Sequence, residues 1–314
     1  MPPLIRSAPS GFPAARLDAL STPRTGGLPW GVYQILWNPR RYADQLDRVA
    51  ETLGATPHFV TFFRDLGRPF PASVCDAIVE RGAIPVVSLE IQRWGYRTPD
   101  DLAAVADGRF DGFFRTYARD AKKAAYPVLL RFGFEMNGDW FSWGGKPETF
   151  KSAWHRARNI FREEGCENVL WVWAPNAVSG PDTPENGFEH YWPGDEAVDV
   201  IGLDGYNFGD HHSQWHRWEE VDAVFGPALE KIDASGVRHP ILITEFSCAH
   251  DGEPARRARW IRRAFEYFEK RPAIIGAIWF NYDKRREGEK DWRINADPES
   301  LQAWRETFIR GDDS

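Results

Sequence analysis

The chain has 314 residues and a formal net charge of −7 at pH 7, with 42% hydrophobic and 27% charged residues. That composition excludes extensive disorder, and no apolar run approaches the ~20 residues that span a bilayer, so a soluble protein without a membrane partner is expected. The acid excess argues against nucleic acid as the main ligand, and Cys75, Cys166 and Cys248 are too few and too scattered for a disulfide framework or a zinc site.

Residues 1–29 are rich in Pro, Ala, Ser, Arg and Gly, show no periodicity, and read as an extended N-terminal arm. They hold no signal-peptide core. The chain as written is therefore expected in the cytoplasm, or secreted if it is a trimmed mature form. From Trp30 on, short apolar runs alternate with helical patterns. Gly31–Leu36 comes first, then a helical pattern over Arg40–Leu53 with Tyr42, Leu46, Val49 and Leu53 in phase. The runs His58–Phe63 and Ile84–Glu90 precede a helix over Asp111–Ala125. Pro127–Glu135 is followed by a helix over Pro147–Glu164, opened by a proline that suits a first turn. Asn168–Trp173 and Val198–Leu203 follow, then a helix over Val221–Ser235. Pro240–Phe246, a helix over Glu253–Lys270 and Ile274–Phe280 complete the series.

Near-continuous apolar runs mark strands buried on both faces of a parallel sheet. Eight strand–helix units predict a single-domain (β/α)8 TIM barrel over residues 30–314. A doubly wound open sheet is the rival, but no G-x-G-x-x-G opens the first helix and no P-loop is present.

A barrel of this kind carries its chemistry at the C-terminal ends of its strands. Glu135 and Glu245 end the fourth and seventh runs there. A carboxylate at the end of a buried strand is costly unless solvated, paired or used, and Arg131, four residues before Glu135, is a possible ion-pair partner. Two such carboxylates at one barrel mouth suit glycoside hydrolysis, which needs an acid for the leaving oxygen and a carboxylate for the anomeric carbon. The aromatic load of fifteen Trp, nine Tyr and 21 Phe is partly core. Trp is an awkward core filler because its indole N–H needs a partner, so the surplus also suits a cleft that stacks sugar rings.

The run Arg131–Gly145, RFGFEMNGDWFSWGG, resembles a motif of glycoside hydrolase family 26, which contains β-mannanases and some β-1,3-1,4-glucanases and β-1,3-xylanases. Ile243–Ser247, Val198–Asn207 and Trp279–Asp297 are similar to further segments of that family, so the resemblance covers residues 127–300. It implies that Glu135 is the acid/base, that Glu245 is the nucleophile, and that Tyr206 hydrogen-bonds the nucleophile. Arg131 would sit beneath the site. Trp140, Trp143 and Trp279 would line the cleft as sugar platforms. Phe134 stands where the family usually has His, which is expected to touch the sugar at the cleavage point. Asp204 and Asn207 are expected in turn or capping roles.

The resulting expectation is a monomeric, retaining endo-hydrolase of a β-linked polysaccharide, first of all β-1,4-mannan, with neither cofactor nor metal. A β-1,3-1,4-glucanase, a β-1,3-xylanase and a non-catalytic carbohydrate-binding barrel are the alternatives. An aldolase or metal hydrolase would want a strand-end Lys or a His/Asp cluster. His211–His212, adjacent on one loop, cannot chelate easily, and His216, His250 and Cys248 read as loop or packing residues.

Overall fold

The computed structural model describes residues 20, 27–95, 100–210, 213 and 216–308. Most of the expected arm and the His211–His212 pair lie outside them. In chain order the elements are β1 (Trp30–Tyr33), α1 (Tyr42–Leu53), β2 (Phe59–Asp65), α2 (Ala72–Val79), β3 (Ile84–Glu90), α3 (Asp101–Ala106), α4 (Asp111–Ala124) and β4 (Val128–Phe132). They continue with α5 (Pro147–Glu163), β5 (Val169–Trp173), β6 (Val200–Asn207), α6 (Val221–Ser235), β7 (Ile241–Cys248), α7 (Pro254–Glu269), β8 (Ile274–Trp279) and α8 (Pro298–Phe308).

The strands close in chain order, with β8 returning to pair in parallel with β1, so the (β/α)8 barrel predicted from the alternation is the fold. β4, β5 and β7 are buried at every position, the pattern of strands covered on both faces. Pro147 and Pro254 open α5 and α7, where a missing N–H costs nothing. The short helices α2 and α3 and the C-terminal α8 add to the sequence-derived set. Among the described residues no helix is long and apolar enough to cross a membrane.

Packing divides the chain into two compact units. One holds the described residues up to Gln34, Arg40–Val60 and those from Gly205 on; the other holds Ile35–Pro39 and Thr61–Asp204. In the first, Trp279 meets Phe246 edge-on at 5.0 Å and Trp304 at 5.8 Å. In the second, Phe132 packs on Trp154 at 5.8 Å and Trp171 at 5.6 Å. Most of the tryptophan surplus is thus core, and main-chain carbonyls accept from several of its indoles. Trp154 donates to Ala197 O at 2.9 Å and Trp260 to Glu219 O at 2.9 Å.

Candidate active site

β4 stops at Phe132, and the chain turns sharply with Gly133 at φ 55° and Glu135 at φ 50°. A left-handed backbone costs a non-glycine residue roughly 1–2 kcal/mol, and such strain gathers at functional positions. Here the turn is held because Glu135 N–H donates to Ala174 O at 2.7 Å and its carbonyl accepts from Gly138 N at 3.0 Å. The Glu135 carboxylate is 7% exposed. Its Oε1 accepts from the Asn176 amide at 2.8 Å and its Oε2 from the Trp140 indole at 2.7 Å.

Asn137 builds the support for this arrangement. Its Oδ1 accepts from Asn176 N at 2.8 Å, and its Nδ2 donates to Asn176 O at 2.9 Å and Ser179 Oγ at 3.1 Å. The loop beyond closes on itself at Gly144, where a Cβ would lie 1.9 Å from Gly138 O. Only glycine allows that approach.

Arg131 is fully buried in β4. It pairs with Asp204 of β6 and donates to Ser88 Oγ at 2.8 Å. Asp204 is therefore a buried ion-pair residue, which corrects the expectation of a turn or cap. The reason is non-local, since 73 residues separate the partners. Asn207 does organise a turn: its Oδ1 accepts from Gly209 N at 2.9 Å and Glu219 N at 3.2 Å.

Glu245 lies in β7 and is 4% exposed. The Tyr206 hydroxyl donates to its Oε2. The Tyr206 ring is braced by Trp292 at 5.3 Å and Phe280 at 5.8 Å. Cys248, also in β7, is fully buried, and that burial pushes its thiol pKa up, which suits packing and not nucleophilic work.

Three expected cleft residues are packing residues instead. Trp143 is fully buried, stacks on Phe141 at 4.4 Å, and donates its indole N–H to Phe134 O at 2.8 Å. Trp279 is fully buried against Trp260 of α7 and Trp304 of α8, with its N–H on Trp292 O at 2.6 Å. Successive strand residues face opposite ways, so Trp279 turns to the helices while Phe280 contacts Tyr206 and stacks on Tyr33 at 4.9 Å. Phe134 is 2% exposed, enclosed by Phe63, Phe141 and Trp143, with the Arg131 guanidinium 4.6 Å from its ring centre. It offers little surface to a sugar. Trp140, by contrast, is 48% exposed.

Asn176 stands among the polar residues at the strand ends but carries no specific role in the sequence pattern, and neither do Phe280 and Trp292. Strand alternation in Ile274–Phe280 was a usable signal for Phe280. Nothing local announced that Asn176 would meet Glu135.

Residues 113–250 match the family model described as glycosyl hydrolase family 26. Endoglucanase H of Acetivibrio thermocellus is 34% identical over 246 residues, 75% of this chain and 25% of its own length. A mannan endo-1,4-beta-mannosidase of Bacillus subtilis is 26% identical over 161 residues, 43% of this chain and 42% of its own. The chain thus spans a quarter of the first relative and under half of the second. A GH26 beta-mannanase structure from Bacteroides ovatus superposes with a TM-score of 0.62 at 22% identity, covering 95% of this chain and 91% of that one. A modular endo-beta-1,4-mannanase from Cellulomonas fimi gives 0.67 at 19% identity, covering 95% and 74%. At these identities the two structures speak for the fold.

Proposed function

We propose that the chain, whose residues 113–250 match the family 26 model and which is 34% identical to Endoglucanase H over 246 residues, is a member of glycosyl hydrolase family 26 and a retaining endo-hydrolase of a β-linked polysaccharide, β-1,4-mannan first. The observation that carries this reading is Glu135. It is a carboxylate on a strained, left-handed turn after β4, oriented by two neutral N–H donors. Glu245, held by the Tyr206 hydroxyl, is the second carboxylate, on β7 of the same barrel.

In this mechanism Glu135 protonates the glycosidic oxygen while Glu245 attacks the anomeric carbon, and the bond to the leaving sugar breaks. Glu135, now a base, takes a proton from water. That water displaces Glu245 from the glycosyl ester and restores the β configuration. The Tyr206 hydroxyl keeps Glu245 oriented.

A second reading is a β-1,3-1,4-glucanase. The 34% identity over 246 residues to a protein named Endoglucanase H favours it. The deciding experiment incubates the protein with mannan, mixed-linkage β-glucan and β-1,3-xylan, measures new reducing ends, and reads the first-formed anomer by NMR. Release of β-configured product from one polymer is the expected result. No hydrolysis of any of the three, or an initially α product, overturns the reading.

A further inference from the structure

We infer that the loops after β1 and β3 form a second carbohydrate-contact site, remote from the cleaved bond, in which Trp37 stacks on a pyranose ring and Glu90 accepts from one of its hydroxyls. The occupant is taken to be the β-linked chain, which rests on the hydrolytic reading above.

Trp37 is 46% exposed, and with Trp140 and Val178 it makes up the exposed large hydrophobic residues among those described. It is not loose. Trp94 meets it edge-on with ring centres 4.8 Å apart, and the guanidinium groups of Arg64 and Arg68 lie 5.2 and 5.5 Å from its ring centre. Two other indoles are committed: Trp94 donates to Glu90 at 2.6 Å and Trp140 to Glu135 at 2.7 Å. The Trp37 N–H donates to nothing among the described residues.

Glu90 ends β3. Its Oε2 takes both local donors, Gln92 Nε2 at 2.5 Å and Trp94 Nε1 at 2.6 Å. Its Oε1 accepts from no described residue. Burial raises the Glu90 carboxyl above its ordinary range, although the bonds from Trp94 and Gln92 oppose that. The carboxylate is thus partly desolvated, fixed in orientation, and left with one oxygen to offer. Such a group gains more from a hydroxyl donor than a solvated one does.

The two features belong together chemically. A pyranose presents a flat C–H face for an indole and a ring of hydroxyl donors at its edge for a carboxylate. Trp94 links them, touching the Trp37 ring on one side and the Glu90 oxygen on the other. Position also fits. β3 and β4 are adjacent and parallel, with Leu89 in register with Phe132. Glu90 therefore ends its strand one sheet spacing, ~4.8 Å, from the strand that leads to Glu135. A polymer held at Glu135 can run over this part of the rim.

The test measures binding by calorimetry in a Glu245→Gln background, so that the ligand is not cut. The ligands are hexasaccharides of β-1,4-mannose, mixed-linkage β-glucose and β-1,3-xylose. At least one should bind. Trp37→Ala should then weaken it about tenfold with the melting midpoint unchanged, while Trp37→Phe, which keeps a flat face, should retain most of the affinity. Glu90→Gln, which still accepts from the Trp94 indole, should weaken it several-fold. Affinity unmoved by Trp37→Ala, or no hexasaccharide bound, overturns the site. The same substitutions with Glu245 restored separate the two readings. Weakened binding in a protein that hydrolyses no polymer overturns the hydrolytic reading and leaves the site. Hydrolysis together with unmoved affinity does the reverse.

Discussion

The Trp140 indole N–H reaches Glu135 Oε2 at 2.7 Å while the Trp140 ring stays 48% exposed. One side chain therefore orients a proposed acid and leaves an indole face open to solvent. Trp140→Phe keeps the face and deletes the donor. A hydrogen bond to a charged group is worth about 1.5–3 kcal/mol when buried, and exposure here reduces that. We expect kcat to fall about tenfold and KM to change less. Equal kcat in parent and variant would show that the bond does not orient Glu135.

The proposed roles separate by leaving group. Glu245→Ala removes the nucleophile and should abolish turnover of every substrate. Glu135→Ala should spare an activated aryl glycoside, whose departure needs no proton. Added azide should then give a β-glycosyl azide with Glu135→Ala. If azide gives the β product with Glu245→Ala instead, the roles are reversed. A crystal structure should place the two carboxyl groups about 5–5.5 Å apart, the retaining spacing.

Glu90 gives the pH prediction. Burial raises its carboxyl pKa in the folded state. A group with a raised folded pKa contributes stability that is present below the unfolded value, about 4.3 for Glu, and is lost as pH rises through the folded value. Glu90→Gln does not titrate. Relative to the parent, the variant should therefore gain stability from about pH 4 to about pH 7. Urea denaturation of both proteins at the two pH values measures this. An unchanged difference between them would mean that Glu90 is not desolvated.

The barrel was legible because strands buried on both faces leave unbroken apolar runs, and chain-order closure follows from their alternation with helices. The carboxylates at the ends of the Glu135 and Glu245 runs were legible for the same reason. The orientation of single aromatics was not. A one-residue step along a strand exchanges faces, so Trp279 went to the helical layer and Phe280 toward Tyr206. The Arg131–Asp204 pair and the Asn176–Glu135 bond join segments 73 and 41 residues apart, and local pattern carries no trace of them. The short helices Ala72–Val79 and Asp101–Ala106 give too few turns for a clear period.

Trp143 and Trp279 should behave as core. Replacing a fully buried Trp with Ala costs about 3–5 kcal/mol, and loss of Trp143 also strands the Phe134 carbonyl that its indole satisfies. Each Ala variant should lower the denaturation midpoint sharply, whereas Trp37→Ala should leave it unchanged. A Trp279→Ala protein as stable as the parent but weaker in sugar binding would restore it to the cleft.

Phe134 carries the last prediction. The His expected at this position from the family resemblance would suggest that Phe134→His restores a sugar contact, but the ring is 2% exposed and closed in by Phe63, Phe141 and Trp143. An imidazole there loses those aromatic contacts and brings an N–H into an apolar box. The Arg131 guanidinium, 4.6 Å from the ring centre, disfavours a protonated imidazole, so the new side chain must be buried neutral. An unsatisfied buried donor costs about 1–3 kcal/mol. Phe134→His should therefore lower stability by that order in urea denaturation and raise kcat/KM on neither manno- nor gluco-oligosaccharides. Undiminished stability with a several-fold gain on the manno series would mean that the position opens onto the sugar, and that the aromatic enclosure does not set its chemistry.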